Sequence, residues 1–163
     1  MHRLIPLLLL VGCTDPAVVT GFRNPQTPIY SSAVLTADRM VGQWAQVADL
    51  AVTEGCRRGD VAIAARDGRL QIDGRLCLAG QAVVVAGPMV PTGPGRFAVS
   101  GMPDPWWVLW VDTDARTLLI GTPSGRFGFI LNRGGALPAD RLVAAREILD
   151  FNGYDVSRLR MFP

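Results

Sequence analysis

Short runs rich in Val, Ile, Leu, Phe and Trp alternate with turn signals at roughly ten-residue spacing, the pattern of an antiparallel sandwich or barrel. The runs predict eight strands: 43–51, 60–66, 69–77, 81–88, 96–101, 106–112, 117–122 and 126–133. Asp67 and Gly68 suit a two-residue hairpin in which both central residues take positive φ. Asp73 and Gly74 offer the same turn. A turn at the first pair sets Cys77 opposite Arg58, two positions from Cys56, whereas the second leaves the cysteines far apart, so the first is preferred. One helix follows, opened by Pro138 in the first turn with Asp140 near its start and closed by Gly153. Its stripe of Leu142, Ala145, Ile148 and Leu149 should dock outside the sheet. A last short strand is expected over 155–162. The fold class is all-β with one C-terminal α-helix.

The chain begins differently. An apolar run from Leu4 to Val11 follows Arg3 and ends in Gly12 and Cys13, which reads as a bacterial lipoprotein signal over residues 1–12 with Cys13 as the acylated first residue. The run covers well under half of a ~30 Å hydrocarbon core at ~1.5 Å per residue, so it is too short to span. Acyl chains on Cys13, at ~0.8 kcal/mol per buried CH₂, would give a permanent anchor. Thr14 after the cysteine resembles the signal for sorting to the outer membrane. Residues 13–35, with Pro16, Pro25 and Pro28 and no apolar period, read as a lipidated linker, and 36–163 as a single domain.

Charge and residue usage narrow the chemistry. The net charge is +2, too small a field for nucleic-acid binding by charge alone. Every basic residue is Arg, which removes the phosphate-loop lysine and Schiff-base chemistry. The single histidine, His2, falls in the signal, so triad arrangements and the common zinc sites are absent from the expected mature chain. No catalytic residue, cofactor or metal is expected. In an exported protein Cys56 and Cys77 form one disulfide or remain as two buried thiols, and the disulfide is the simpler outcome.

Gly42, Gln43 and Trp44 before the first strand, Asp112 to Arg116 between two strands, and Arg133 closing Phe129, Ile130, Leu131 and Asn132 resemble the three signature regions of the lipocalins. More narrowly, Trp107 to Leu109, Phe129 to Leu131 and Gly153 to Ser157 look like the bacterial outer-membrane lipocalins of the Blc type, over about residues 36–161. Ala45 and Ala115 stand where the family usually has Tyr, and Gln46 where it usually has Glu. The resemblance implies an eight-stranded up-and-down barrel in which Arg133 packs over Trp44 at the closed end. Gly42, Trp44, Asp112, Asp114 and Arg133 are then structural signatures, the two aspartates serving a turn.

Strand residues alternate between inside and outside, so the family's register implies an interior lined by Phe97, Val99, Trp106, Val108, Trp110, Leu119, Phe127, Phe129 and Leu131. Ala62, Ala64, Ala82, Ala86, Ala98, Gly121 and Gly128 are expected to leave it hollow. Such a lining would hold a fatty acid or lysophospholipid-like ligand, a dozen buried methylenes contributing on the order of 10 kcal/mol gross. The alternative is a side-chain-filled barrel in a structural envelope lipoprotein that acts through protein partners. The expected location is the outer membrane, lipid-anchored and facing the periplasm.

Overall fold

Residues 21–53 and 55–163 are described by a computed structural model. The signal run and Cys13 lie outside the described residues. The strands are β1 (Gly42–Leu50), β2 (Asp60–Arg66), β3 (Arg69–Leu78), β4 (Gln81–Gly93), β5 (Arg96–Val99), β6 (Trp106–Val111), β7 (Thr117–Gly121), β8 (Gly128–Asn132) and β9 (Leu159–Met161), with one α-helix, α1 (Ala139–Phe151). Every strand pair is antiparallel. β1 pairs with both β8 and β2, which closes strands β1 to β8 into a barrel. The all-β, eight-stranded expectation therefore holds, with a short 3-10 helix, Ala37–Met40, before β1; the last strand expected over 155–162 is confined to β9, because Asp155 caps the Ser157 N–H and Val156–Arg158 turn as a 3-10 helix.

The hairpin choice is settled by the backbone. Asp67 and Gly68 take φ of 50° and 72°, and Asp60 stands opposite Arg75. Asp73 and Gly74 run through β3 instead. This register brings Cys56 to Cys77, which are bridged by a disulfide with Cα atoms 5.6 Å apart. The bridged cysteines are 21 positions apart in sequence, and closing a loop of that length is worth ~3 kcal/mol in the chain-entropy account.

β1 changes partners along its length. Gly42–Ala45 pair with β2, the register shifts between Gln46 and Ala48, and Ala48–Leu50 pair with β9 on the edge that β2 has left. Where β2 is missing, the Gln46 carboxamide replaces it. Its nitrogen donates to the Cys77 carbonyl (2.6 Å) and its oxygen accepts from the Cys77 N–H (2.7 Å). A side-chain amide carries one donor and one acceptor like a peptide group, so both orphaned backbone groups of β3 are satisfied.

Alternation sorts the apolar residues into two cores. The inner one fills the barrel, and the outer one lies between the barrel and α1 around Ala145, Leu149, Leu119, Ile130 and Tyr154. The helix is fixed at its start by Arg141, which pairs with Asp112 (3.1 Å) and donates to the Thr117 hydroxyl (3.1 Å). It ends at Gly153, whose φ of 80° is the left-handed conformation that glycine adopts without a Cβ penalty.

From Gly21 on, the segment expected as a linker is packed on the domain. Arg23 is buried and donates to the carbonyls of Asn152 (3.1 Å), Pro123 (2.7 Å) and Thr27. Further along, Ser32 donates to the Val108 carbonyl (2.7 Å), and Arg96 donates to the Ser31 hydroxyl (2.9 Å).

Candidate functional site

The barrel interior is closed at the end where β1 begins. Trp44 is 1% exposed and its indole nitrogen donates to the Met40 carbonyl at 2.7 Å, so the 3-10 helix acts as a plug. Arg133 lies over the Trp44 ring, 4.0 Å from its centroid, and donates to the carbonyls of Arg39 (2.7 Å) and Val41 (2.9 Å). Desolvation pulls the guanidinium below its ordinary pKa, against the opposing charge of Asp112, while the two carbonyls and the ring face give it polar contacts. Gly42 makes the stacking possible: its φ is 137°, and a Cβ there would come 3.0 Å from the Arg133 guanidinium.

Asp112 works as the turn residue expected of it. Its Oδ1 accepts from the backbone of Arg116 (2.7 Å) and Thr117 (2.6 Å), while its other oxygen holds Arg141. Asp114 is exposed on the same turn.

Phe97, Val99, Trp106, Val108, Phe127, Phe129 and Leu131 all lie in the inner core, and Trp106 meets Phe129 edge to face at 5.1 Å. Trp110 and Leu119 do not. The ladder between β6 and β7 carries a bulge, with Val108 opposite Ile120 but Trp110 opposite Leu119. The extra residue, Leu109, inverts the alternation and sends Trp110 to the outer core. Leu119 points outward because Leu118 and Ile120, opposite the inward Leu131 and Phe129, take the inner positions. No feature of the sequence marks the bulge, so pure alternation misplaced Trp110.

The residues expected to leave the interior hollow lie on the other face. Ala82, Ala86 and Ala98 are exposed, and Ala62 and Ala64 are half-buried on the outer surface, where a pocket of about 360 Å³ touches them. Gly121 and Gly128 make room outside for Tyr154 and Leu50: added Cβ atoms would stand 2.5 Å from the Tyr154 hydroxyl and 2.4 Å from Leu50 Cδ1. Inside, Trp106, Val108, Leu118, Ile120, Phe129 and Leu131 are each 0% exposed. A void wide enough for a hydrocarbon tail would bare some of that surface to water. Around these six the barrel is filled in this conformation, and the little accessible surface left on the inner core is at residues such as Phe97 (3%), Val99 (5%) and Phe127 (9%).

Two features break the uniformity of the interior. The Trp106 indole N–H finds no acceptor among the described residues although the side chain is fully buried. An unpaired buried donor costs ~1–3 kcal/mol. Trp106 also sits on the shortest seam of the barrel. β5 and β6 share only the pairs Arg96–Trp107 and Phe97–Trp106, extended by the Val108 N–H to the Gly95 carbonyl (2.8 Å).

At the end away from Trp44, Asp49 is buried under the turn between β3 and β4, one oxygen accepting from Gly80 (3.2 Å) and the other without a partner. Burial pushes its carboxyl up to about 6, against the pull of the Gly80 N–H and of Arg160. The folded value lies above the unfolded 3.8, so the protonated form favours folding, and this contribution is lost as pH rises from about 4 to about 6. Asp49→Asn keeps the acceptor for Gly80 without the charge. Urea unfolding across pH 4–7 should show a flatter profile than the parent and no loss at pH 7; parallel profiles would refute the assignment.

Comparison with known proteins agrees with this architecture. A family model described as a lipocalin-like domain matches residues 35–163. No curated protein matches the chain. Among solved structures, the chain is similar to the major allergen Per a 4 from cockroaches, at 9% identity and a TM-score of 0.65, covering 85% of this chain and 95% of that one. It is also similar to lobster apocrustacyanin A1, at 15% identity and a TM-score of 0.56, covering 83% and 89%. At such identities the likeness shows the fold alone.

Proposed function

The chain belongs to the lipocalin-like family, and from that premise we propose that it is a lipid-anchored, non-catalytic carrier of the outer membrane that binds a small hydrophobic ligand within its barrel. The fold suggests small hydrophobic ligands as a class, and an acyl chain is the form proposed here. The observation that carries this reading is the unpaired Trp106 N–H in an otherwise apolar interior, beside the shortest seam. An acyl ligand supplies the missing acceptor through its carboxylate or ester oxygen, and its tail replaces the Trp106 to Phe129 contacts as β5 parts from β6. Acylation of Cys13 places the carrier at the periplasmic face of the membrane, as in the Blc-type lipocalins that the sequence resembles.

A second reading has its own support: the fully buried interior suits a barrel that acts through its outer surface on protein partners. Native mass spectrometry of the chain extracted from its membrane separates the two. The carrier reading expects a one-to-one lipid adduct on a protein whose mass includes the acyl groups of Cys13. A ligand-free domain that also fails to displace a fluorescent fatty acid would leave the surface reading standing. A chain still starting at Met1 without acyl groups would remove the anchor.

A further inference from the structure

We infer that the end of the barrel away from Trp44 docks on the bilayer through an arginine-lined pocket that takes anionic lipid headgroups. This rests on the proposed anchor at Cys13. The first described residue, Gly21, emerges at that end, packed on the turn between β7 and β8, where Phe22 donates to the Gly125 carbonyl (2.7 Å). Seven residues separate Cys13 from Gly21, and the eight steps between them reach at most ~29 Å. The tether therefore holds this end, and not the plugged one, next to the lipid surface.

The loop between β1 and β2 opens at the same end, and with β9 it forms a pocket of about 600 Å³ lined by Arg57, Arg58, Arg160, Met161 and Phe162. Arg160 stands opposite Asp49 on β1, and Asp49 stands opposite Phe129 on β8, so the pocket lies two strand spacings, ~10 Å, from the strand beside the Gly21 anchorage. Arg57 and Arg58 are exposed and make no ion pair with the described residues. Nearby, Arg126 pairs with Asp104 (3.4 Å) and Arg158 with Asp155 (3.4 Å), while the exposed Asp60 and Arg75 lie beside Arg58 on its β2 side. The Cys56–Cys77 bridge fixes the base of the loop, so the two guanidiniums are presented rather than free to fold away. A guanidinium fork matches phosphate oxygens, and the flanking Met161 and Phe162 supply an apolar lip for the acyl side of a headgroup.

The test uses the full chain carrying Cys13→Ser, so that no acyl group contributes, floated with vesicles of phosphatidylcholine alone or with 30% phosphatidylglycerol. Arg57→Gln with Arg58→Gln in this background should weaken binding to the anionic vesicles about thirtyfold, at ~1 kcal/mol per basic residue, and leave the thermal midpoint unchanged. Arg57→Lys with Arg58→Lys, which keeps the charge but not the fork, should restore only part of it, and inorganic phosphate at millimolar concentration should not compete. Equal flotation of the Gln variant and its parent would overturn the proposal, as would full competition by phosphate, which would mark a site for the free anion. The unprocessed apolar run is common to every arm, so the differences report the arginines. The anchor is read separately from the mass of the wild-type chain, which keeps the two failures apart.

Discussion

Trp44→Ala is expected to lower the unfolding free energy by ~3–5 kcal/mol, the range for removing a large aromatic from a core. The side chain is 1% exposed and does three things at once. It fills the barrel floor, holds the 3-10 helix through its bond to Met40, and provides the face on which Arg133 is stacked. Removing it strands the guanidinium, whose unpaired Nε already lacks an acceptor, over a cavity. Urea denaturation should show a shifted midpoint at an unchanged slope. Arg133→Ala should cost less, and the double variant less than the sum of the two, because the pair shares one contact. A Trp44→Ala loss under ~1 kcal/mol would mean that the floor is not part of the cooperative core.

Gln46→Glu should be the more informative of the two large effects. The family usually has Glu at this position, so the change would look conservative by resemblance. Here it faces the Cys77 N–H and carbonyl together, and it is 0% exposed. An ionised carboxylate accepts from the N–H but sets an oxygen against the carbonyl, which loses its donor. The expected cost at pH 7 is on the order of 3 kcal/mol, combining a buried charge with an unmade bond. Burial raises the folded pKa of the new group above its unfolded ~4.3, so the loss should fade as pH falls toward 4. The protonated acid again has one donor and one acceptor, and both bonds return. Unfolding curves of parent and variant that keep the same separation from pH 4 to 7 would contradict this account.

What was legible in the sequence was whatever depends on local chemistry and on period. Both Asp67–Gly68 and Asp73–Gly74 suit a turn with positive φ at two positions, and only the positions of Cys56 and Cys77 selected the first, which fixed the hairpin register. The Trp44 and Arg133 stack followed from the resemblance, and the α1 stripe from helical spacing. What failed depended on phase. One residue inserted at Leu109 turned Trp110 outward, and the alanines and glycines read as cavity lining belong to the opposite face, where Tyr154 occupies the space over Gly121 and Gly128. The stretch from Gly21 to Leu35 read as a linker because its hydrogen bonds are made by backbone groups and by Arg23 with distant carbonyls, and such bonds leave no periodic trace.

If an apolar ligand enters the packed barrel, a brominated fatty acid should quench the tryptophans inside it. Trp44 and Trp106 are 0–1% exposed inside, whereas Trp107 and Trp110 lie outside, so Trp107→Phe with Trp110→Phe leaves only interior emission. The account predicts saturable one-to-one quenching of this variant at micromolar ligand, weakened by a few-fold in Trp107→Phe, Trp110→Phe, Trp106→Phe, where the remaining Trp44 still reports but the N–H donor is gone. Interior emission unchanged at saturating brominated fatty acid would contradict it.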